Sequence, residues 1–233
     1  MSDVNIITID GPSGTGKGTV CGYLTKLLNW HFLDSGALYR VLAYAAETLG
    51  VNYENEVELV KLVKRLNIEF KLLNPESVVD VFLDGENVTN KIRTETCGKA
   101  ASLIAPKASI RKALLVLQRG FLKKPGLIAD GRDMGTVVFP GAQLKIYLTA
   151  SIEVRAKRRF KQLKDAGFSV NLRRLHAEIA ERDERDSTRN ISPLKPAKDA
   201  FIIDTSLLDI KAVEEEIKKL VFSRFTNLQN KGG

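Results

Sequence analysis

The stretch VNIITIDGPSGTGKGT, residues 4–19, decides the fold. Residues 4–9 are a short apolar run rich in β-branched side chains, which predicts a buried strand. The run passes directly into Gly11–Lys17, which fits GxxxxGK. In that pattern a glycine-rich loop and the N-terminus of the next helix wrap phosphate with backbone N–H groups. Gly11, Pro12, Ser13, Gly14, Thr15, Gly16, Lys17, Gly18 and Thr19 are therefore expected around a nucleotide's phosphates, with the Lys17 cation against the β and γ groups. Thr19 stands one place beyond the usual metal-binding hydroxyl and Gly18 takes that place, so no side chain is assigned as a direct metal ligand. Mg²⁺ is expected to come with the nucleotide.

Downstream, the helix after the loop is expected to turn Leu24, Leu27 and Leu28 toward the sheet. HFLD at 31–34 predicts a second strand, and Leu38, Val41, Leu42 and Ala45 recur at helical spacing after it, with Ser35 as the expected cap. EVELVKLVKRL repeats the period through Val57, Val60, Val63 and Leu66, with Leu59 and Leu62 widening the apolar face. At 68–89 alternation and turn residues replace that period, which predicts a small antiparallel insert with a turn at NPES. Helical character returns from about Arg93 to Phe121, broken at Pro106. Further strands are expected at 127–129, 144–148 and 200–203, and charged helices at about 151–164 and 172–185. Helices separate all five strands of the main set, which favours a parallel sheet covered on both faces.

The chain has 233 residues, 44% apolar and 27% charged, which suits one folded α/β unit with an insertion and excludes a disordered or fibrous chain. Its net charge is +8, and residues 151–190 alone carry +4. Such a field favours an anionic partner, whether nucleic acid, an anionic surface or a phosphorylated small ligand. Cys21 and Cys97 form no CxxC pair, and two cysteines with two histidines argue against structural zinc. With no apolar run of membrane-spanning length and no secretory start, the expected location is the cytoplasm, without a membrane partner. Asn90-Lys91 continues as Ile92-Arg93, so the NKxD guanine signature of GTPases is missing. The basic region lacks interleaved aromatic residues, which argues against a base-stacking platform and a stable nucleic-acid partner.

Two further blocks stand at expected strand ends: DSGALYR after the second, and GRDMG after the third. Ligands of parallel sheets bind at that carboxyl edge. With GPSGTGKGT, IRTETCGKAAS, KIYLTAS, GFSV and ERDERDSTR, these blocks make the chain resemble the bacterial cytidylate kinases, within the nucleoside-monophosphate kinase family. The resemblance implies an α/β, P-loop nucleoside-monophosphate kinase fold, with a five-stranded parallel sheet in the order 2-3-1-4-5. A three-stranded insert, a moving monophosphate-binding domain and a short lid accompany it. On this basis 1–34, 107–152 and 188–233 form the core, 35–106 the monophosphate-binding domain, and 153–187 the lid region with its flanking helices. The implied activity is transfer of the γ-phosphoryl of ATP to CMP or dCMP, with Mg²⁺ as MgATP, by a monomer.

The same resemblance puts Ser35, Arg40, Arg132 and Arg189 around the monophosphate, and Ser102, Arg111 and Asp133 at the base. Arg182 and Asp186 go to the ribose side. Lys17, Arg132 and Arg189 are the expected catalytic charges. Arg158 is carried to the ATP phosphates, although spacing alone does not choose among Arg155, Arg158 and Arg159. Other readings stay open for single residues. Asp130 and Asp133 suit turn caps, Arg111 and Arg119 suit a solvated helix face, and Ser102 suits a helix-face hydroxyl. Arg182 and Asp186 suit a local i,i+4 pair. Another small-molecule kinase or a nucleotide-controlled switch uses the same phosphate loop.

Overall fold

Alternation along the 4–9 run sets the layers. In a computed structural model, which describes residues 4–73, 79–165 and 167–226, this run is β1 (Asn5–Asp10). Ile7 and Ile9 pack on one face with Val20, Leu24, Ile217 and Val221. Ile6 packs on the other with Leu38, Leu42 and Leu114. Successive side chains of a strand point to opposite faces, so a strand apolar on both needs a layer of helices on each side.

The chain continues through α1 (Lys17–Leu28), β2 (His31–Asp34), α2 (Ser35–Thr48) and α3 (Glu56–Val63). Next come β3 (Ile68–Lys71), β4 (Asp80–Leu83), β5 (Glu86–Asn87) and α4 (Thr89–Ile92). These are followed by α5 (Glu95–Ile104), α6 (Ala108–Gly120), β6 (Gly126–Gly131) and a π-helical turn at Met134–Val138. The last elements are β7 (Leu144–Thr149), α7 (Ile152–Asp165), α8 (Leu172–Thr188), β8 (Phe201–Asp204) and α9 (Ile210–Arg224). The main sheet is parallel throughout in the order β2-β6-β1-β7-β8. Counted within the sheet this is the expected 2-3-1-4-5, and each expected strand lies within two residues of an observed one. The π-helical turn has no counterpart in the sequence reading.

The insert is the antiparallel sheet β3-β4-β5. Asp84 and Gly85, with φ of 51° and 84°, close its second hairpin as a two-residue turn of the kind whose twist matches the strands. Phe70 of β3 meets Phe32 of β2 edge to face at 5.6 Å, which seats the insert against the main sheet. The expected NPES turn lies outside the described residues. Among those residues no helix is long and apolar enough to cross a membrane.

Three local expectations need correction. Leu27 is exposed, because the stripe of α1 that faces the sheet is Val20, Cys21 and Leu24. The buried side of α3 is Leu59, Leu62 and Val63 with Leu66 beyond it, whereas Val57 is 65% exposed. Packing of α3 against α2 and α6 chooses between two apolar stripes that the sequence offers equally. Asp34, not Ser35, caps α2, its carboxylate accepting from Ala37 N at 2.9 Å. Ser35 is thereby left as the first helical residue.

The rotation of α3 gives a stability test. Leu59→Ala should cost about 2–5 kcal/mol through the cavity it leaves, while Val57→Ala should stay within about 0.5 kcal/mol. Urea unfolding followed by circular dichroism measures both, and equal losses would contradict the observed face.

Candidate active site

Parallel pairing in register brings the strand ends to one edge. Asp10 stands opposite Gly131, and Asp34 opposite Asp130. The phosphate loop leaves this edge from β1. Gly11 has φ 144°, and a Cβ there would lie 2.0 Å from Leu148 O on β7, so no other residue fits this exit. Lys17 is buried at the start of α1, its Nζ donating to Pro12 O at 2.7 Å. Thr15 Oγ1 donates to the same carbonyl at 3.1 Å, turning its hydroxyl inward. Gly18 and Thr19 lie exposed on the first turn of α1. Burial lowers the Lys17 pKa, and the Arg132 cation lowers it further. Burial raises that of Asp130, which Lys17 partly offsets.

Arg155, Arg158 and Arg159 of α7 take three different partners. Arg155 is buried and bonds Ala150 O at 2.9 Å, Ser13 O at 3.2 Å and the Asp183 carboxylate, as a buttress between α7, α8 and the loop. Arg158 donates to Thr205 O at 2.6 Å and Thr205 Oγ1 at 3.1 Å, beside Gly14 O of the phosphate loop. Arg159 pairs with Glu95 on α5. Of the three, Arg158 is the one with both exposed and loop-facing guanidinium contacts. Thr205, absent from the sequence reading, ties the end of β8 to the loop by donating to Thr15 O at 3.0 Å.

All nine residues that the resemblance assigns to the phosphate, base and ribose of the acceptor nucleotide line a single cleft beside this edge. At its inner end Arg111 of α6 pairs with Asp133, and both are nearly buried. Arg111 therefore does not lie on a solvated face, whereas Arg119 does serve structure, donating to Val138 O at 3.0 Å. Ser102 borders the cleft and donates to Gly98 O at 2.9 Å, one helical turn back. Arg132 Nε donates to Asp186 Oδ2 at 3.1 Å, so Asp186 has a tertiary partner in place of the local pair with Arg182. Arg40 donates to Ile92 O at 2.7 Å and Thr94 O at 3.0 Å. Arg189 Nε donates to Ser192 O at 2.5 Å, while its buried Nη2 has no hydrogen-bond partner. A buried cationic donor without an acceptor is costly, and an anion entering the cleft would satisfy it.

The cleft as a whole presents six arginines and two aspartates. Burial, and next the Arg132 charge, push the Arg182 pKa down to about 10. Burial and then Arg111 lower that of Arg189. The arginines stay cationic, and their crowding favours a multiply charged anion. Among the described residues no group of three or more His, Cys, Asp or Glu could hold a metal ion. His31 bonds Lys124 O on the exterior and His176 stands 3.4 Å from Glu153, so neither histidine belongs to the site. Sequence reasoning also missed Asp10, whose carboxylate accepts from Met134 N and Gly135 N at 2.8 Å each. No spacing signal marks a contact across 124 residues.

The family described as cytidylate kinase matches residues 7–223. A cytidylate kinase of Pseudomonas putida is 52% identical over 219 residues, spanning 94% of this chain and 96% of that protein. One of Shewanella putrefaciens is 53% identical over 222 residues, spanning 95% and 96%. One of Pseudomonas entomophila is 52% identical over 217 residues, spanning 93% and 95%. Likeness on this scale runs from the phosphate loop through the insert and the cleft to α7 and α8, and the chain belongs to the cytidylate kinase family.

Proposed function

We propose that the protein transfers the γ-phosphoryl group of ATP to the phosphate of CMP or dCMP, giving ADP and CDP or dCDP, in line and in a closed site. The observation that carries this reading is the single cleft that gathers the nearly buried Arg111–Asp133 pair with Arg40, Arg132 and Arg189. Arg132 is close enough to Lys17 to depress its pKa, so the acceptor and donor phosphates would meet between them.

Cytosine offers an N4 amino donor beside acceptors at N3 and O2. A carboxylate facing N4 and a guanidinium facing N3 or O2 complement it. Uracil presents O4 to Asp133 and N3–H to Arg111, and such mispairing is expensive in a closed site. The acceptor is already an anionic phosphate oxygen, so the reaction needs no general base. Lys17 and the arginines compensate charge as it shifts through the transition state. A bound dianion would oppose the Arg132 field, which after burial is the next cause lowering the Lys17 pKa.

The donor set fits a Mg²⁺ carried by phosphates and water in place of an all-protein cage. Asp130, a buried carboxylate at the loop edge whose charge burial disfavours, would hold it on the protein side. When bound, the ion orients the β and γ oxygens and neutralises their charge. We place the moving parts at 35–106 and 153–187 around a core of 1–34, 107–152 and 188–233, closing to exclude water that would otherwise accept the phosphoryl group. The protein would act as a cytoplasmic monomer, with no stable nucleic-acid or membrane partner.

Lys17→Ala should lower kcat with MgATP and CMP by at least about 100-fold while the circular dichroism spectrum is kept. Turnover near that of the parent protein would defeat the role of Lys17. Replacing Arg40, Arg132 or Arg189 by Ala should weaken CMP binding more than ATP binding, since the lost partner is the acceptor phosphate. Calorimetry with unchanged CMP affinity in all three variants would contradict their placement.

Asp133→Asn supplies a donor where uracil has O4 and releases Arg111 from its ion pair. The ratio of kcat/KM for CMP to that for UMP should fall by about 10-fold or more. Initial rates at saturating MgATP give the ratio. A change within about twofold would leave Asp133 as a turn residue without a part in base choice.

A further inference from the structure

Helix α6 turns Ile110, Leu114 and Gln118 to the interior. Two of these are ordinary core residues, but Gln118 is polar and only 4% exposed. Burying an amide is unfavourable unless its hydrogen bonds are replaced. The replacement is Ser35, whose Oγ accepts from Gln118 Nε2 at 2.9 Å across 83 residues of chain. Ser35 is itself buried and borders the cleft, whereas Gln118 borders an adjoining hollow with Tyr39, Leu115, Val138 and Ile191. The amide thus reaches the cleft only through the serine. Arg111 precedes Gln118 by seven residues, two helical turns, so α6 carries both the base-end arginine and the support of Ser35.

A serine hydroxyl has one hydrogen to give and two acceptor positions. Taking the Gln118 N–H fills one acceptor position and leaves the O–H free to donate. The neighbouring Asp34 carboxylate is engaged with Ala37 N and holds the helix start in place. A phosphate dianion only accepts, so it is served by a hydroxyl already committed to donating.

We propose that Gln118 is a positioning residue for the acceptor phosphate: by donating to Ser35 Oγ it sets the Ser35 hydroxyl as a donor into the cleft. The proposal rests on reading the cleft as the monophosphate site with Ser35 at its phosphate end. Gln118 touches no substrate and acts only through Ser35.

A double-mutant cycle with Ser35→Ala, Gln118→Met and the pair together tests it by KM for CMP, KM for ATP and kcat. Ser35→Ala should raise KM for CMP about 10-fold and Gln118→Met about 5-fold, with KM for ATP within about twofold. The double variant should resemble Ser35→Ala within about twofold, because Gln118 has nothing left to orient. Effects that multiply in the double variant, or an unchanged KM for CMP in Gln118→Met, would overturn the proposal while the cleft reading stands. An unchanged KM in Ser35→Ala removes Ser35 from the phosphate end and takes the proposal with it. Gln118→Glu provides a second measurement that holds even where the methionine variant folds poorly. Its ionised carboxylate only accepts, so it would claim the serine proton. KM for CMP should then exceed that of the parent protein at pH 8 and recover as the pH falls and the carboxyl is protonated. A defect in this variant that does not change with pH points to packing alone and also overturns the proposal.

Discussion

The carboxylate of Asp10 holds the two halves of the site together. It ends β1, immediately before Gly11 of the phosphate loop, and accepts from the backbone N–H groups of Met134 and Gly135, immediately after Arg132 and Asp133. One short side chain thereby ties the phosphate loop to the turn that carries Arg132 and Asp133. Gly135 can approach because it has no side chain, since a Cβ would lie 2.8 Å from Thr8 Oγ1. The clamp sits in a demanding place. Burial pushes the Asp10 pKa up to about 6, against the pull of the two backbone donors. The π-helical turn that follows is stabilised at its far end by Arg119, so the turn bearing Arg132 and Asp133 is held from both sides.

Around this clamp the cleft gathers more positive charge than its own acids neutralise. Three of its guanidinium groups find internal acceptors: Arg40 the carbonyls of Ile92 and Thr94, Arg132 the Asp186 carboxylate, and Arg189, through Nε, the Ser192 carbonyl. Backbone carbonyls are weaker partners than a phosphate, so a dianion can draw these groups over without leaving them bare. The Arg111–Asp133 pair differs, because its two members satisfy each other deep in the cleft. A group entering there must replace that pairing with one as good, and on the proposed reading this would make the pair a filter on hydrogen-bond pattern.

Helix α7 shows how identical residues acquire different tasks. Arg155, Arg158 and Arg159 fall within little more than one helical turn, yet one buttresses Ser13, one reaches Thr205 and the phosphate loop, and one crosses to Glu95 on α5. Together with Lys99 and Glu178, 3.8 Å apart, the last pair joins α7 and α8 to α5, which borders the cleft. Attraction between these exposed groups is modest and screened by salt.

The strand, loop and helix of residues 4–28, the five strands and the antiparallel insert were legible in the sequence because they are local. Period, β-branching and turn chemistry act between near neighbours. The phosphate-binding character of Gly11–Lys17 was legible for the same reason, since its donors are consecutive backbone groups. Which stripe of α3 is buried was not, because Val57 and Leu59 are equally apolar and only packing against α2 and α6 separates them. Nor could the sequence distribute the three α7 arginines, pair Asp186 with Arg132, clamp Asp10 to the Met134 turn or set Gln118 beneath Ser35. Each of these depends on a partner brought near by the parallel register of the sheet, and a hydrogen bond or ion pair leaves no periodic trace in the chain that makes it. The sequence by itself determined the elements and the phosphate loop; tertiary structure alone decided which side chains face one another at the carboxyl edge, because those contacts close only after the strands have aligned.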